Sequence, residues 1–312
     1  MGFDITNLPT WVSQVDKKIF QNAVYGSTTA KDLIAAGSVI YGKPGNIAVR
    51  KLSNSVTFQS GNDNCARNAS GDITLGSATC SLVRFKSEKN ICYEDLDNTY
   101  YSLLLTDSIQ PSEEKATPEF ANALIQSETD IIKQDVERAF WIGDTGLTAS
   151  FGTNYQNFNK FKGILKQVTD GAEIGMTLSG STMTAKIQNA ILVSMPANIY
   201  MAEDFRVAIG EDLYNQYTAA LANQNIFRPT DDKTVFGTSF KFWVVPGLNG
   251  TNKIVALRLS NLRLPINKED DTDSCDLSYI KDSVFHGWGL DTYWSAGICV
   301  IDPAEVGYLV YS

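Results

Sequence analysis

Between Ile47 and Phe85 the chain alternates in character with a period of two, while the middle of the stretch is polar and rich in turn formers. Ile73, Leu75, Val83 and Phe85 share one parity, and Thr74, Cys80 and Arg84 take the other. The turn-forming run extends from Ser60-Gly61-Asn62-Asp63-Asn64 to Ser70-Gly71-Asp72. That pattern predicts a long two-stranded ribbon with a polar tip. A lone ribbon is marginal in water, so it must lie against something beyond its own two strands. Any fold proposed for this chain has to supply that support.

The second strong signal is a helix start. Thr117-Pro118-Glu119 offers a hydroxyl cap, a proline at the first helical position and an acid in the positive first turn. The spacing predicts a helix from Pro118 to about Ile142, roughly 37 Å long at about 1.5 Å per residue. Phe120, Leu124 and Ile131 form one apolar stripe, with Ile125, Ile132, Val136 and Phe140 beside it. Gly143 is placed to end the helix as a C′ glycine.

Elsewhere the reading is coarser. Leu8-Pro9-Thr10-Trp11 opens a weakly helical stretch to about Tyr25, Thr29 to Ile34 suggests a short helical turn, and Gly42, Pro44 and Gly45 break the chain. Residues 147–160 read as a loop. A second compact region begins at Phe161-Lys162-Gly163-Ile164-Leu165. It is expected to hold a helix from Thr182 to Asn189, then a buried strand from Ala190 to Met195 ended by Pro196. A helix from Ala202 to Asn223 follows, built on Phe205, Ile209, Leu213, Tyr217 and Leu221, with strands at 235–246 and 253–264.

Composition narrows the function. At 312 residues the chain can bury a substantial core, and 20% charged against 43% hydrophobic residues is ordinary for a globular protein. The net charge of −9 argues against gripping nucleic acid by phosphate neutralisation, although it suits a wall that encloses a polyanion without adhering to it. There is neither an apolar run of eighteen residues nor a basic, apolar N-terminus, so no membrane span and no signal peptide are expected. The five cysteines (Cys65, Cys80, Cys92, Cys275 and Cys299) are scattered, odd in number and without a C-x-x-C pair. Free thiols in a reducing compartment are the expectation.

Reactive equipment is sparse. The single histidine, His286, sits among Val284, Phe285, Gly287 and Trp288, which suits packing better than catalysis, and one imidazole cannot support a histidine-rich metal site. Gly37 to Lys43 matches a phosphate-binding loop up to its lysine, but Pro44 replaces the magnesium-ligating hydroxyl. Asp271, Asp273 and Asp276 are spaced like a rudimentary calcium loop without its glycine turn or distal glutamate, and a solvated acidic turn is the simpler reading. The neighbouring acids Glu113-Glu114, Glu203-Asp204 and Glu211-Asp212 diverge on loops or helix faces, and Lys160, Lys162 and Lys166 make a modest basic surface patch. The chain is expected to act by association, with no catalytic residue and no cofactor.

The last third carries a resemblance. A strand ending in Val244-Val245-Pro246-Gly247-Leu248 is followed by a strand from Lys253 to Leu264 and the acidic loop Glu269-Asp270-Asp271-Thr272-Asp273. The chain then closes on Tyr293-Trp294-Ser295-Ala296-Gly297-Ile298 and on Val300 to Val306. With the ribbon and long helix ahead of them, this order resembles the major capsid protein of tailed bacteriophages, the Hong Kong 97 (HK97-like) fold. The resemblance implies an α+β chain divided into an N-terminal arm (1–46), an extended hairpin loop (47–85), a peripheral domain with its spine helix (86–160, spine 118–142), an axial domain (161–265) and a return to the peripheral domain (266–312).

It also implies self-assembly into pentamers and hexamers of an icosahedral head enclosing double-stranded DNA, assembled in a bacterial cytoplasm with scaffolding, portal and decoration or head-completion proteins. Asn64, Arg67 and Asn68 at the ribbon tip become the candidates for contact with a neighbouring subunit. Two departures from the founding member stand out. About 46 residues precede the ribbon, too few for a built-in scaffolding domain. No lysine lies between Lys51 and Lys86, so the ribbon has no amine for an isopeptide bond to a neighbour's asparagine. An encapsulin-like nanocompartment shell is the alternative reading, and an unrelated α+β enzyme or adhesin a further one.

Overall fold

Ser27 starts the first described helix: its hydroxyl accepts a bond from the Ala30 N–H, and α1 runs Thr28–Ala35 with Ala30 and Leu33 buried. The structure is a computed structural model that describes residues 25–58, 70–92, 118–152, 154–226, 233–267, 274–281 and 286–311. The helical stretch expected from Leu8 to Tyr25 lies outside these residues except for Tyr25. After α1 come β1 (Val39–Gly42) and the two strands of the ribbon, β2 (Gly45–Val56) and β3 (Gly71–Cys92). The long helix α2 spans Pro118–Ile142.

The segment that follows is mixed. It comprises α3 (Ile164–Asp170), β4 (Ile174–Gly175), α4 (Met183–Ser194), α5 (Ala197–Tyr200), β5 (Phe205–Ile209) and α6 (Glu211–Asn223). Strands then dominate: β6 (Lys241–Val244), β7 (Lys253–Arg258), β8 (Leu262–Asn267), β9 (Ser274–Lys281), β10 (His286–Ala296), β11 (Cys299–Val300) and β12 (Gly307–Val310).

Among the described residues three sheets form, with strand orders β1-β8-β11, β2-β3-β10-β9 and β4-β12-β7-β5-β6. Strand β3 changes partner along its length. Its outer half pairs with β2, from Gly45↔Leu82 to Val56↔Gly71, and its inner half pairs with β10, from Val83↔Ala296 to Cys92↔Gly287. The inner half is thus embedded in a wider sheet, and the outer half is a two-stranded excursion.

Two apolar cores result. One gathers α1, the buried side of α2, α3 and the β8–β10–β11 strands around Phe140, Trp141 and Phe161; the other lies between the five-stranded sheet and α4 and α6, around Ile187, Ile209, Tyr217 and Phe242. Helix α1 fastens to both sides. Thr29 donates from its N–H and hydroxyl to Glu137 at 2.9 and 2.7 Å, and accepts from the Trp141 indole at 2.8 Å. Asp32 accepts from the Trp243 indole at 2.6 Å.

Several sequence expectations change. On α2 the buried stripe is Ile125, Ile132, Val136 and Phe140, while Ile131 is half exposed, so the stripe through Leu124 and Ile131 is not the core face. Gly143 does follow the helix end, but not in a left-handed conformation. It is needed for close approach, since a Cβ there would meet the Ala139 carbonyl at 2.6 Å and that of Phe161 at 2.9 Å. Ala190 to Ser194 continues α4 rather than forming a buried strand, with Val193 largely exposed. Phe205 to Ile209 is a strand and not the start of α6, because it is covered on both faces and hydrogen-bonded between β6 and β7. The 253–264 stretch is two strands, broken by a 3-10 turn at Leu259–Asn261.

The cysteine expectation is overturned for one pair. Cys80 and Cys299 form a disulfide across 219 residues of sequence, while Cys92 carries a free thiol. Topology brings together two residues whose spacing carries no pairing signal.

Candidate intersubunit surfaces

The ribbon's outer half is buried only near its root, where Cys80 and Leu82 are sealed, and has no core beneath it from Leu52 and Leu75 outward. Twelve residue pairs join β2 to β3 there, a reach of roughly 40 Å at about 3.3 Å per residue. Directly opposed residues share a face, so Leu52 with Leu75, Asn54 with Ile73, and Val56 with Gly71 define one side. The opposite side carries Lys51, Ser53 and Ser55 against Gly76, Thr74 and Asp72. The second side is satisfied locally: Ser55 Oγ accepts from the Asp72 N–H at 2.9 Å, and Lys51, midway along the paired strands, is ion-paired to Asp302.

The first side is apolar and bare. Leu52 is 65% exposed, Val56 70%, Ile73 65% and Leu75 81%. Covering such side chains is worth about 1–2 kcal/mol each, so a surface placed over all four gains several kcal/mol per subunit. Phe58, just past the strand, is also exposed.

The root is anchored. Phe85 stacks on its cross-strand partner Trp294 at 5.5 Å and meets Phe161 edge-on at 6.0 Å. Buried Glu128 on α2 accepts from Ser87 Oγ at 3.0 Å and is ion-paired to Lys89. A cleft of about 610 Å³ remains between this inner half of β3 and α2, with Ile131 and Lys160 on its walls. A further apolar exposure lies on the second core's outer side, at Leu192 and Val193 of α4 and Met201 after α5.

Buried Glu137 shapes the other flank of α2. Burial pushes its carboxyl up from the ordinary range, and bonds from Thr29, Ser27 and the Gly247 backbone pull it partly back. Gly247 packs against this stretch so closely that a Cβ would lie 2.3 Å from the Trp141 ring.

Of the residues singled out from sequence, Asn64, Arg67, Asn68, Asp271 and Asp273 lie outside the described residues. Asp276 is exposed on β9, opposite Asp291 on β10, which is itself opposite Glu88 on β3. Lys86 bonds Glu88 at 2.9 Å. Among the described residues no group of three or more His, Cys, Asp or Glu is arranged to hold a metal ion. Lys162 and Lys166 both bond Asp170, at 2.7 and 2.6 Å, so this part of the basic cluster is a local ion-pair knot. His286 opens β10 opposite Lys281. Glu211 and Asp212 hold a loop: the Glu211 N–H donates to Asn249 Oδ1, and Asp212 accepts from the Gly250 N–H. The exposed apolar side of the ribbon was not singled out from the sequence, although Leu52 and Val56 keep step with each other along β2, as Ile73 and Leu75 do along β3.

No family model matches the sequence, and no curated protein does. Solved structures do. The chain superposes on the satellite phage P4 procapsid that includes the size determination protein, with TM-score 0.59 at 13% identity over 94% of this chain and 89% of that one. The capsid of Myoviridae phage XM1 gives TM-score 0.50 at 16% identity, covering 89% and 91%. A virus-like particle from Pyrococcus furiosus gives 0.50 at 10% identity, covering 95% and 98%. The fold is HK97-like, an α+β capsid fold.

Proposed function

We propose that this chain is a major capsid protein, assembling into the pentamers and hexamers of an icosahedral bacteriophage head around double-stranded DNA. The observation that carries this reading is the bare apolar side of the ribbon, formed by Leu52, Val56, Ile73 and Leu75. A soluble monomer has no use for projecting paired strands whose apolar side, from Leu52 and Leu75 outward, faces water. A neighbouring copy covers it, and the same contact repeated round a closed lattice multiplies a modest energy per subunit. Residues 47–85 act as the extended loop, 86–160 and 266–312 as the peripheral domain, and 161–265 as the axial domain. The exposed Leu192, Val193 and Met201 then suit contacts near a capsomer axis. Scaffolding, portal and decoration proteins are the partners this role requires, and the virion is its location.

The likeness to the Pyrococcus furiosus virus-like particle favours a second reading, a nanocompartment shell of the same fold. Electron microscopy of the expressed protein tests both. Closed shells are the expected outcome, and a monodisperse monomer at high concentration overturns the proposal. A long genome packaged in particles from infected cells distinguishes a phage head from a compartment holding protein cargo.

A further inference from the structure

Cys80 and Cys299 are both buried, with Cα atoms 5.1 Å apart, and their bond joins two sheets. Cys80 lies at the ribbon root, opposite Ile47 and two residues from the point where β3 leaves β2 for β10. Cys299 opens β11, which pairs with β8, and β8 pairs in turn with β1. Three residues beyond Cys299, Asp302 takes the ion pair from Lys51 on the ribbon's other strand. One short C-terminal segment therefore holds both strands of the ribbon, one by a covalent link and one by an ionic link. Outward of those links the ribbon's described side chains are exposed.

We propose that Cys80 and Cys299 form a redox latch that sets whether the ribbon root can lift from β11. In the dithiol state the paired strands are held to the C-terminal segment by the Lys51–Asp302 ion pair, which is partly solvated and weak, and by the packing of Leu82, while the inner half of β3 stays paired to β10. In the disulfide state the root is pinned. The oxidant is a low-molecular-weight disulfide such as oxidised glutathione. One cysteine thiolate attacks it, forming a mixed disulfide and expelling one glutathione thiolate. The second cysteine thiolate then attacks the protein sulfur, closing Cys80–Cys299 and expelling the second glutathione. Two electrons leave the protein pair, and two molecules of reduced glutathione and the two cysteine protons are accounted for. Because both sulfurs are sealed from solvent, the first attack occurs only while the root is open, so the oxidation rate reports that opening. The effect on shells rests on the proposed capsid role, whereas the latch itself is a property of the single chain.

The test uses the full-length wild-type chain purified with dithiothreitol and then exchanged into oxidised glutathione. Peptide mapping without reductant should recover the Cys80–Cys299 cross-link in most molecules, and backbone amide exchange at residues 45–50 and 78–84 should slow at least tenfold on oxidation. Cys80→Ala/Cys299→Ala protein should show no such response, and the wild-type comparison stands without it if that variant does not fold. An absent cross-link, or equal exchange in both states, overturns the latch. If particles form, oxidised ones should dissociate about 5–10 °C higher than reduced ones. An equal midpoint would refute the latch's role in the shell. A cross-link that slows exchange in a chain forming no particles in either state would sink the capsid reading and leave the latch standing.

Discussion

The outer ribbon and the α2 helix carry comparable amphipathic patterns and meet opposite fates. On α2 the stripe of Ile125, Ile132, Val136 and Phe140 is sealed in the chain's own core. On the ribbon, Leu52, Val56, Ile73 and Leu75 are equally regular and lie in solvent. Periodicity reveals that a face is apolar, and the fold decides whether this chain or another covers it. In the helix the pattern stabilises the chain's own core; in the ribbon it is left in water, where the proposed assembly would cover it.

The sharpest way to break this contrast is to charge the ribbon face. Leu52→Asp with Leu75→Asp should abolish shell formation, with particle yield falling at least a hundredfold by sedimentation. The unassembled subunit should keep its melting temperature within about 2 °C, because surface changes away from packed features cost little. Unfolding of that variant would mean the ribbon face is covered within the subunit. The converse change on α2 is Phe140→Ala. It should destabilise the subunit by about 3–5 kcal/mol in denaturant titration, since the ring is fully buried against Phe161 and its neighbours. A cost below about 1 kcal/mol would show that α2 is not the spine of the core.

The same contrast explains what could be read from the sequence. Thr117-Pro118-Glu119 marked the start of α2 because caps act locally, and the ribbon was visible because period-two alternation also does. The stripe on α2 that faces inward was not legible, since Leu124 and Ile131 are as apolar as Ile125 and Ile132 and only packing separates them. Phe205, Ile209, Leu213, Tyr217 and Leu221 keep helical spacing through a strand and a helix. The strand's residues are buried on both faces, and its alternation is hidden. Val193 sat in a run that reads as buried and proves to be outward-facing. The contact candidates read from the sequence, Asn64, Arg67 and Asn68, lie outside the described residues, and the bare apolar side chains that the structure shows lie along the paired strands. The link between Cys80 and Cys299 depends on strand topology alone.

A subtler difference lies on the polar sides of the two elements. The ribbon's polar side is solvated, while α2 buries Glu137 beneath α1. Burial raises that carboxyl above its ordinary value of 4.5, the bonds from Thr29, Ser27 and Gly247 opposing it only in part. Above pH 4.5 the native state therefore holds the proton after the unfolded chain has released it. Native protein binds more protons in that window, so this group's contribution to stability is full below 4.5 and is lost as pH rises through the native value. Glu137→Gln should flatten the decline of stability with pH relative to wild type, measured as denaturation midpoints at successive pH values. Parallel curves would show that the carboxyl does not titrate there.

The smallest expected effect lies where the ribbon's inner half joins the wider sheet. Glu88, Asp291 and Asp276 stand directly opposite one another on β3, β10 and β9, on one face. Like charges in opposed positions repel, and Lys86 bonds the Glu88 end of the row while Asp276 sits at the far, exposed edge. Replacing Asp276 with Asn keeps the side chain's size and removes one charge, so it should stabilise the subunit by a few tenths of a kcal/mol, to roughly 0.5 kcal/mol at low salt. The gain should shrink as sodium chloride screens the row. Denaturant midpoints for wild type and Asp276→Asn at low and high salt would register it. A loss of stability, or a gain that salt does not diminish, would mean that repulsion along this row is not what Asp276 contributes to the sheet.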